Sequence, residues 1–357
     1  MIRILHTADW HLDAPLRDFT TEQQQELRNA MLALPGQIAD ISIREDCDLC
    51  LIAGDVFHGA YTRESYEAVF HALERMEIPV FIAPGEQDPY REGSIWTTEP
   101  WPDNVYIFRS RELSSYRVPE LDCRIYGAAF TDVHSPALLE DFFAECDERH
   151  ALLVLHADPA DPNSSCNPVT AAQIREAGVD YAALGHLHVQ GRFDAGAGLC
   201  AWPGCAMGLG FHEAGSRGVL IAQMGETVKA RFVPLNAPRF LEFQVEAGND
   251  PASAVEALLP PLGSRDHLRI HLTGEAAPGT AAQLRIRFAA YPNLTILDET
   301  VPLRDLWDLA GEDSLSGLFF QILRETAVVS EPQTARTAEL AARISRRILD
   351  GQEVVLP

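Results

Sequence analysis

Acidic and histidine side chains recur in this sequence immediately after short apolar runs, and no other feature constrains the fold as much. Asp9-Trp10-His11 follows residues 2–7, Gly54-Asp55-Val56-Phe57-His58 follows residues 49–53, and Gly85-Glu86-Gln87-Asp88 follows residues 79–83. His156 closes the run 152–156, and Gly185-His186-Leu187-His188 follows 181–184. Short apolar runs bounded by turn residues read as buried strands. Helical periodicity over residues 21–45 and 63–76 separates the first three, so the chain opens as alternating strands and helices around a sheet. Residues that leave the ends of such strands face one shared crevice. In D-x-H and H-x-H the alternation of extended backbone turns both side chains to one face, where they can converge on a metal ion. Mixed carboxylate and imidazole donors suit manganese, iron or zinc. The spacing predicts a dinuclear metal site.

At 357 residues the chain is long enough for two domains of ordinary size. Further strands are predicted at 105–108, 124–127, 218–223 and 229–234, with helices near 136–145 and 171–177. The pattern breaks at Asn236, Ala237 and Pro238, which places a boundary between a domain of residues 1–237 and a small α+β domain of 238–330. The segment 331–357 is expected to be a helical tail, with Leu340, Ile344 and Ile348 at helical spacing among Arg336, Arg343, Arg346 and Arg347. The seven cysteines are irregularly spaced and odd in number, which reads as reduced thiols, and no apolar stretch is long enough to span a bilayer. A cytoplasmic address and no membrane association are expected. A formal net charge of -24 repels nucleic acid at long range, so contact with DNA would need a local cationic site, bound metal ions or a partner. Lys229 is the single lysine, leaving arginine as the main cationic residue.

The motifs together resemble the calcineurin-like metallophosphoesterases and, within them, the SbcD-type DNA repair nucleases. Trp202-Pro203-Gly204-Cys205 followed by Phe211 and Glu213 is similar to the Y-P-G-S…F-x-E segment of that group, with Cys205 in the serine position. The resemblance implies an α/β fold, a four-layer α/β/β/α sandwich, with the small α+β domain capping the site. It implies that Asp9, His11 and His188 hold one metal, that His156 and His186 hold the second, and that Asp55 bridges them. Manganese is the first expectation, with iron or zinc as alternatives. Two divalent ions a few ångströms apart polarise a phosphoryl oxygen and activate water, so phosphodiester hydrolysis is the implied reaction. The group's partners are DNA and an SMC-like ATPase of SbcC type, with a two-fold dimer of the nuclease. The arginine-bearing tail is either a docking element for the ATPase or an amphipathic helix packed on its own domain.

The third motif departs from the family's G-N-H-D/E. Glu86 stands where Asn ligates the second metal, and it can still ligate through oxygen while adding negative charge. Gln87 stands at the catalytic His position, and an amide cannot transfer a proton at neutral pH. General acid catalysis is typically worth ~10²–10⁴-fold, so turnover falls unless another group substitutes. His58, three residues after Asp55, is placed to contact the scissile phosphate, and His212 is a weaker candidate. His6 is expected to pack beneath the site, and His71, His134, His150, His267 and His271 are assigned no role. Three readings stand: a DNA exonuclease or endonuclease, a metal-binding scaffold subunit with impaired catalysis, and a phosphoesterase for small nucleotides.

Overall fold

The structure is a computed structural model that describes residues 1–145, 147–196, 198–248, 250–302, 305–349 and 351. Two compact units make up the chain: one of Met1–Glu242, Pro260–Arg269 and Tyr291–Thr295, the other of the described residues within Phe243–Leu259, Ile270–Ala290 and Ile296–Pro357.

The strands of the first unit begin with β1 (Ile2–Thr7), β2 (Leu49–Ile52), β3 (Val80–Ile82), β4 (Val105–Ile107), β5 (Ser114–Val118) and β6 (Cys123–Gly127). They continue with β7 (His150–His156), β8 (Tyr181–Gly185), β9 (Gly191–Ala195), β10 (Gly198–Trp202), β11 (Gly218–Met224) and β12 (Val228–Pro234). Its helices are α1 (Thr21–Arg44), α2 (Arg63–Met76), the short α3 (Ile95–Thr98) and α4 (Ala171–Glu176). One six-stranded sheet runs β12-β11-β1-β2-β3-β4 and the other β5-β6-β7-β8-β10-β9. Strands β1 to β4 are mutually parallel, as are β6, β7, β8 and β10.

Alternation along each strand builds the layers. On β2, Leu49 and Leu51 point into the core between the sheets with Phe81, Leu152, Val154 and Tyr181, while Cys50 and Ile52 point outward. The outward face is covered by α1 through Leu27, Met31, Leu34 and Ile38 and by α2 through Val69, Leu73 and Met76. On the other side Ile174 of α4 packs with Leu153, Leu155, Ala182 and Leu184. The result is an α/β/β/α sandwich. Cys47 and Cys50 are absorbed as small apolar core residues, and burial pushes both thiols up in pKa. No disulfide is formed among the described residues.

The helix predicted near residues 136–145 is absent. Tertiary partners take the donors a helix would use: Ser135 N–H binds the Ser165 carbonyl, Leu138 N–H the Asn167 side chain, and Ala144 N–H the Ala177 carbonyl. Asp141, at φ 58°, breaks the right-handed path as well. Strands β5, β9 and β10 were not predicted; β5 and β9 are sheet edges, where half the residues face solvent and the apolar run is short.

Beyond β12 the elements are β13 (Phe240–Glu246), α5 (Pro251–Glu256), β14 (His267–Thr273), β15 (Glu275–Ala276), α6 (Thr280–Arg287), β16 (Leu294–Asp298) and β17 (Val301–Pro302). Strands β13, β14 and β16 form a three-stranded sheet. Two helices follow in the second unit, α7 (Leu315–Val329), which the sequence did not predict, and α8 (Pro332–Leu349). They meet through Phe320 and Ala342. Leu340 and Ile348, expected as an apolar stripe, are exposed on α8, as are Leu318 and Ile322 on α7. Residues 350 and 352–357 of the predicted tail lie outside the described residues. No helix among the described residues is long and apolar enough to cross a membrane.

Candidate metal centre

The C-terminal ends of β1, β2 and β3 in one sheet and of β7 and β8 in the other carry the predicted site residues. The loop after β1 is stitched to the loop after β2 by Asp9 N–H to the Gly54 carbonyl and His11 N–H to the Asp55 carbonyl, both at 3.0 Å. Asp9, His11, Asp55 and His186 all adopt left-handed backbone (φ 52°, 46°, 52° and 89°). Each such residue costs of order 1–3 kcal/mol, a strain that concentrates at functional sites and that the surrounding bonds must hold. Gly54, at φ 91°, is required for space as well, because a Cβ there would lie 2.4 Å from His156 Nδ1.

The first cluster is Asp9, His11 and His188, whose donor atoms lie within 4.8 Å of one another. His11 Nε2 is 3.0 Å from His188 Nε2 and 3.9 Å from Asp9 Oδ1. Asp9 is fully buried and its carboxylate accepts the His186 backbone N–H at 3.1 and 3.2 Å. His188 donates from Nδ1 to Glu213, which leaves its Nε2 lone pair facing Asp9 and His11. The second cluster centres on Glu86, whose Oε2 lies 2.5 Å from His156 Nε2 and whose Oε1 lies 3.0 Å from His186 Nδ1. Asp55 lies between the clusters, with Oδ2 3.8 Å from His11 Nε2 and 3.6 Å from His156 Nε2. Its other oxygen accepts the Gln87 backbone N–H at 2.9 Å.

Burial pushes the carboxyl groups of Asp9 and Asp55 up in pKa. Burial opposes a charge on His156 too, yet the Asp55 and Glu86 carboxylates override it and hold its imidazole well above the usual range. For Glu86 burial acts upward, but His156 and His186 win and keep it ionised. His11 is pushed down to about 3 by burial and by the imidazoles of His188 and His58. Burial disfavours the free carboxylates, and the carboxylates in turn favour a charged His156, so the cluster carries its negative charge only with protons or cations beside it.

The donor set fits divalent metal. His156 Nδ1 bonds the Ala53 carbonyl at 2.7 Å, and its buried Nε2 lies 2.5 Å from Glu86 Oε2, an ion-pair contact without regular hydrogen-bond geometry. That contact needs a positive charge on or between the two groups, which a proton on His156 or a bound cation supplies. Neighbouring groups orient the rings from outside, as metal-binding histidines usually require: Glu213 for His188 and Ala53 for His156.

Every residue expected at the metal site is therefore at one crevice. His58 is half-buried beside it, its Nδ1 3.2 Å from His11 Nδ1. Gln87 acts here through its backbone, anchoring Asp55 and accepting the Gly59 N–H at 3.0 Å. The His212 side chain is 74% exposed and lies 3.6 Å from Glu213. His6 is buried beneath the site, bonded to Tyr181 at 2.8 Å and the Leu184 carbonyl at 3.0 Å.

Four further residues at the crevice have no role that the sequence motifs assign. Asp88 is buried and accepts the N–H groups of Val56, Phe57 and Gly85 at 2.8, 3.1 and 2.9 Å, tying the β2 and β3 loops together. Asp158 lies 3.6 Å from His186 Nε2. Glu213 is visible in the sequence only as part of the F-x-E segment. Cys166 joins Glu86 and His186 within 4.8 Å, from a loop with no motif to announce it.

Residues 2–190 match the family model described as calcineurin-like phosphoesterase. Among curated proteins, the chain is 26% identical over 239 residues to an uncharacterized metallophosphoesterase, YhaO, of Bacillus subtilis (strain 168), covering 62% of this chain and 57% of that protein. It is 32% identical over 94 residues to the SbcD component of the SbcCD nuclease of Rhodobacter capsulatus, covering 25% of this chain and 22% of that protein. The chain thus spans little more than half the length of one curated relative and less of the other. Among solved structures, TT1561 of Thermus thermophilus is similar with a TM-score of 0.39 at 13% identity, over 65% of this chain and 98% of that one.

Proposed function

This chain belongs to the calcineurin-like phosphoesterase family, and from that premise we propose that it hydrolyses phosphodiester bonds in DNA as a two-metal nuclease subunit of SbcD type. One observation carries the reading: Asp9, Asp55, Glu86, His11, His156, His186 and His188 converge at the ends of five strands, with donor atoms grouped within 4.8 Å of one another in overlapping sets. Asp9, His11 and His188 would hold one divalent ion and Glu86, His156 and His186 the other, with Asp55 between them. When bound, the ions supply charge that polarises a phosphoryl oxygen and lowers the pKa of water.

The chain's own groups do the rest. The Gln87 backbone N–H fixes Asp55, and Glu213 and the Ala53 carbonyl keep His188 and His156 in the tautomers that present Nε2 to the crevice. His58, half-buried beside His11, is the group placed to contact the scissile phosphate and to deliver a proton to the leaving oxygen. The Gln87 side chain offers a hydrogen bond to the substrate but no proton.

The DNA assignment is supported by the likeness to a segment of the SbcD component of the SbcCD nuclease. A net charge of -24 opposes a polyanion, so a cationic partner helps, and an SMC-like ATPase of SbcC type is the partner proposed. We assign its docking to α7 and α8, on which Leu318, Ile322, Leu340 and Ile348 are exposed apolar side chains. We extend the proposal to the domain of residues 238–330 as the element that selects substrate, to a two-fold dimer and to a cytoplasmic address. Glu86 and Gln87 favour a second reading, a metal-binding subunit with poor turnover.

The test is manganese-dependent degradation of end-labelled single- and double-stranded DNA by the purified chain, with Asp55→Ala as control. Cleavage lost in the control supports the nuclease. Metal binding without cleavage above the control overturns an autonomous nuclease and leaves the second reading, and turnover of small diesters alone redirects the substrate to nucleotides.

A further inference from the structure

We propose that Cys166 is an additional ligand at the second metal position, and that its sulfur makes this position select a thiophilic ion such as zinc over manganese. The inference rests on the two-metal reading above and concerns what this chain adds to it.

Cys166 lies outside the strand-end motifs, on the loop between β7 and α4, yet its Sγ comes within 4.8 Å of donor atoms of both Glu86 and His186. The loop is held firmly to the site. Cys166 N–H donates to Ser164 Oγ at 3.1 Å, and its carbonyl accepts the Asp158 N–H at 3.2 Å. The next residue, Asn167, is fully buried at φ 51° and donates from Nδ2 to the carbonyl of His156 at 3.1 Å. The thiol is therefore carried by backbone bonded to one of the proposed ligands. Cys47, Cys50, Cys123, Cys200 and Cys205 are buried, whereas Cys166 is partly accessible.

An independent observation points to a cation there. The His156 side chain has no exposed surface, and its Nε2 is pressed to 2.5 Å from Glu86 Oε2, an ion-pair contact between two atoms that make no regular hydrogen bond. On the far side of the carboxylate, His186 Nδ1 is 3.0 Å from Glu86 Oε1. An ion held by Glu86, His186 and Cys166 meets one imidazole nitrogen, one carboxylate and one sulfur. Three such donors with a fourth position left open suit four-coordinate zinc, whose bonds are ~2.0–2.3 Å to nitrogen, oxygen and sulfur. Manganese prefers oxygen donors, and thiolate shifts selection towards zinc or iron. On coordination the S–H bond is exchanged for a sulfur–metal bond and the proton passes to solvent, with no electron transferred.

The full chain, stripped of metal, is titrated with cobalt(II), which reports sulfur ligation as charge-transfer absorption in the near ultraviolet, and separately with zinc and manganese under equilibrium dialysis. Two ions per chain are expected, with the sulfur band present in the parent and lost in Cys166→Ser. The zinc-to-manganese preference of one site should fall ~10-fold or more in that variant. Cys166→Asp should retain two ions without the band, which separates loss of sulfur from loss of fold. Two ions with no sulfur band, or with a band that survives Cys166→Ser and so arises elsewhere, as from Cys205 beside His188, overturn the Cys166 proposal alone. Fewer than two ions under every metal overturns the two-metal reading as well.

Discussion

Replacing Glu213 by Gln tests whether the ring orientation of His188 matters for metal binding. Glu213 is buried and its carboxylate is divided between two donors, His188 Nδ1–H on Oε1 and the Leu209 backbone N–H on Oε2 at 2.6 Å. An amide of the same shape cannot serve both. With its oxygen towards His188, its NH2 meets the Leu209 N–H donor to donor. Turned over, its NH2 faces His188 Nδ1 and drives the proton to Nε2, the nitrogen that faces Asp9 and His11. Either arrangement loses one charge-assisted bond, worth ~1.5–3 kcal/mol, which is roughly 10–150-fold in a binding constant. The assay is competition with a chelator of known affinity, resolving the two binding steps of the full chain. One step should weaken by about 10–100-fold, the usual cost of removing a partner that orients a metal-bound histidine, while the other stays near its parent value. Both steps within about twofold of the parent would refute the argument that Glu213 sets the His188 tautomer.

Asp88→Ala strands three buried backbone donors, those of Val56, Phe57 and Gly85; urea unfolding should show a loss of ~3 kcal/mol or more, and an unchanged midpoint contradicts its tying role. Gln87→His restores a protonatable group, so turnover of a small chromogenic phosphodiester should rise by ~10-fold or more; an unchanged rate means that His58 already fills that role. Burial lowers the His6 pKa from 6.5 to about 3, so the unfolded chain takes up the proton first. Stability from this group is complete above pH 6.5 and falls as pH drops towards 3, by up to ~1.4 kcal/mol per pH unit. With a chelator present, urea midpoints at about pH 7.5, 5.5 and 4.5 should fall less steeply in His6→Asn than in the parent, and parallel slopes would count against the assignment.

What was legible in the sequence was legible for a physical reason. The strands that carry the site are central and parallel, buried on both faces, and such strands read as unbroken apolar runs. Residues 49–53 and 152–156 are of this kind, and the site residues follow them directly. The edge strands β5 and β9 have exposed residues at alternate or successive positions and offered no such run. Residues 136–145 have helical composition, but the Leu138 and Ala144 backbone donors are taken by Asn167 and Ala177, contacts that depend on the folded second sheet. At the site, Asp88 and Glu213 act by holding other residues, so the motifs that contain them mark their positions without revealing what they hold. Cys166 reaches the crevice through a loop whose course is set by Asn167 and Asp158, so its proximity to Glu86 is a tertiary fact.

Charge balance connects the site to the rest of the molecule. Asp9, Asp55 and Glu86 bring three negative charges to the crevice and the proposed Cys166 thiolate a fourth, matching two divalent ions before Asp158 and Glu213, beside His186 and His188, are counted. A filled site with no net positive charge exerts little Coulombic pull on a phosphodiester, and the chain, at -24 overall, repels one. If the two-metal reading holds, tight metal retention and weak substrate capture are two expected results of one feature, Glu86 where the resemblance calls for a neutral amide. On the function proposed above, capture draws on positive charge supplied by a partner. The consequence is measurable as salt dependence. If the chain alone contributes few phosphate contacts, cleavage or binding of DNA by the isolated protein should vary weakly with ionic strength, whereas addition of a cationic partner should introduce a steep negative slope. A steep slope in the isolated chain would instead locate a cationic track on its own arginines and remove the need for the partner.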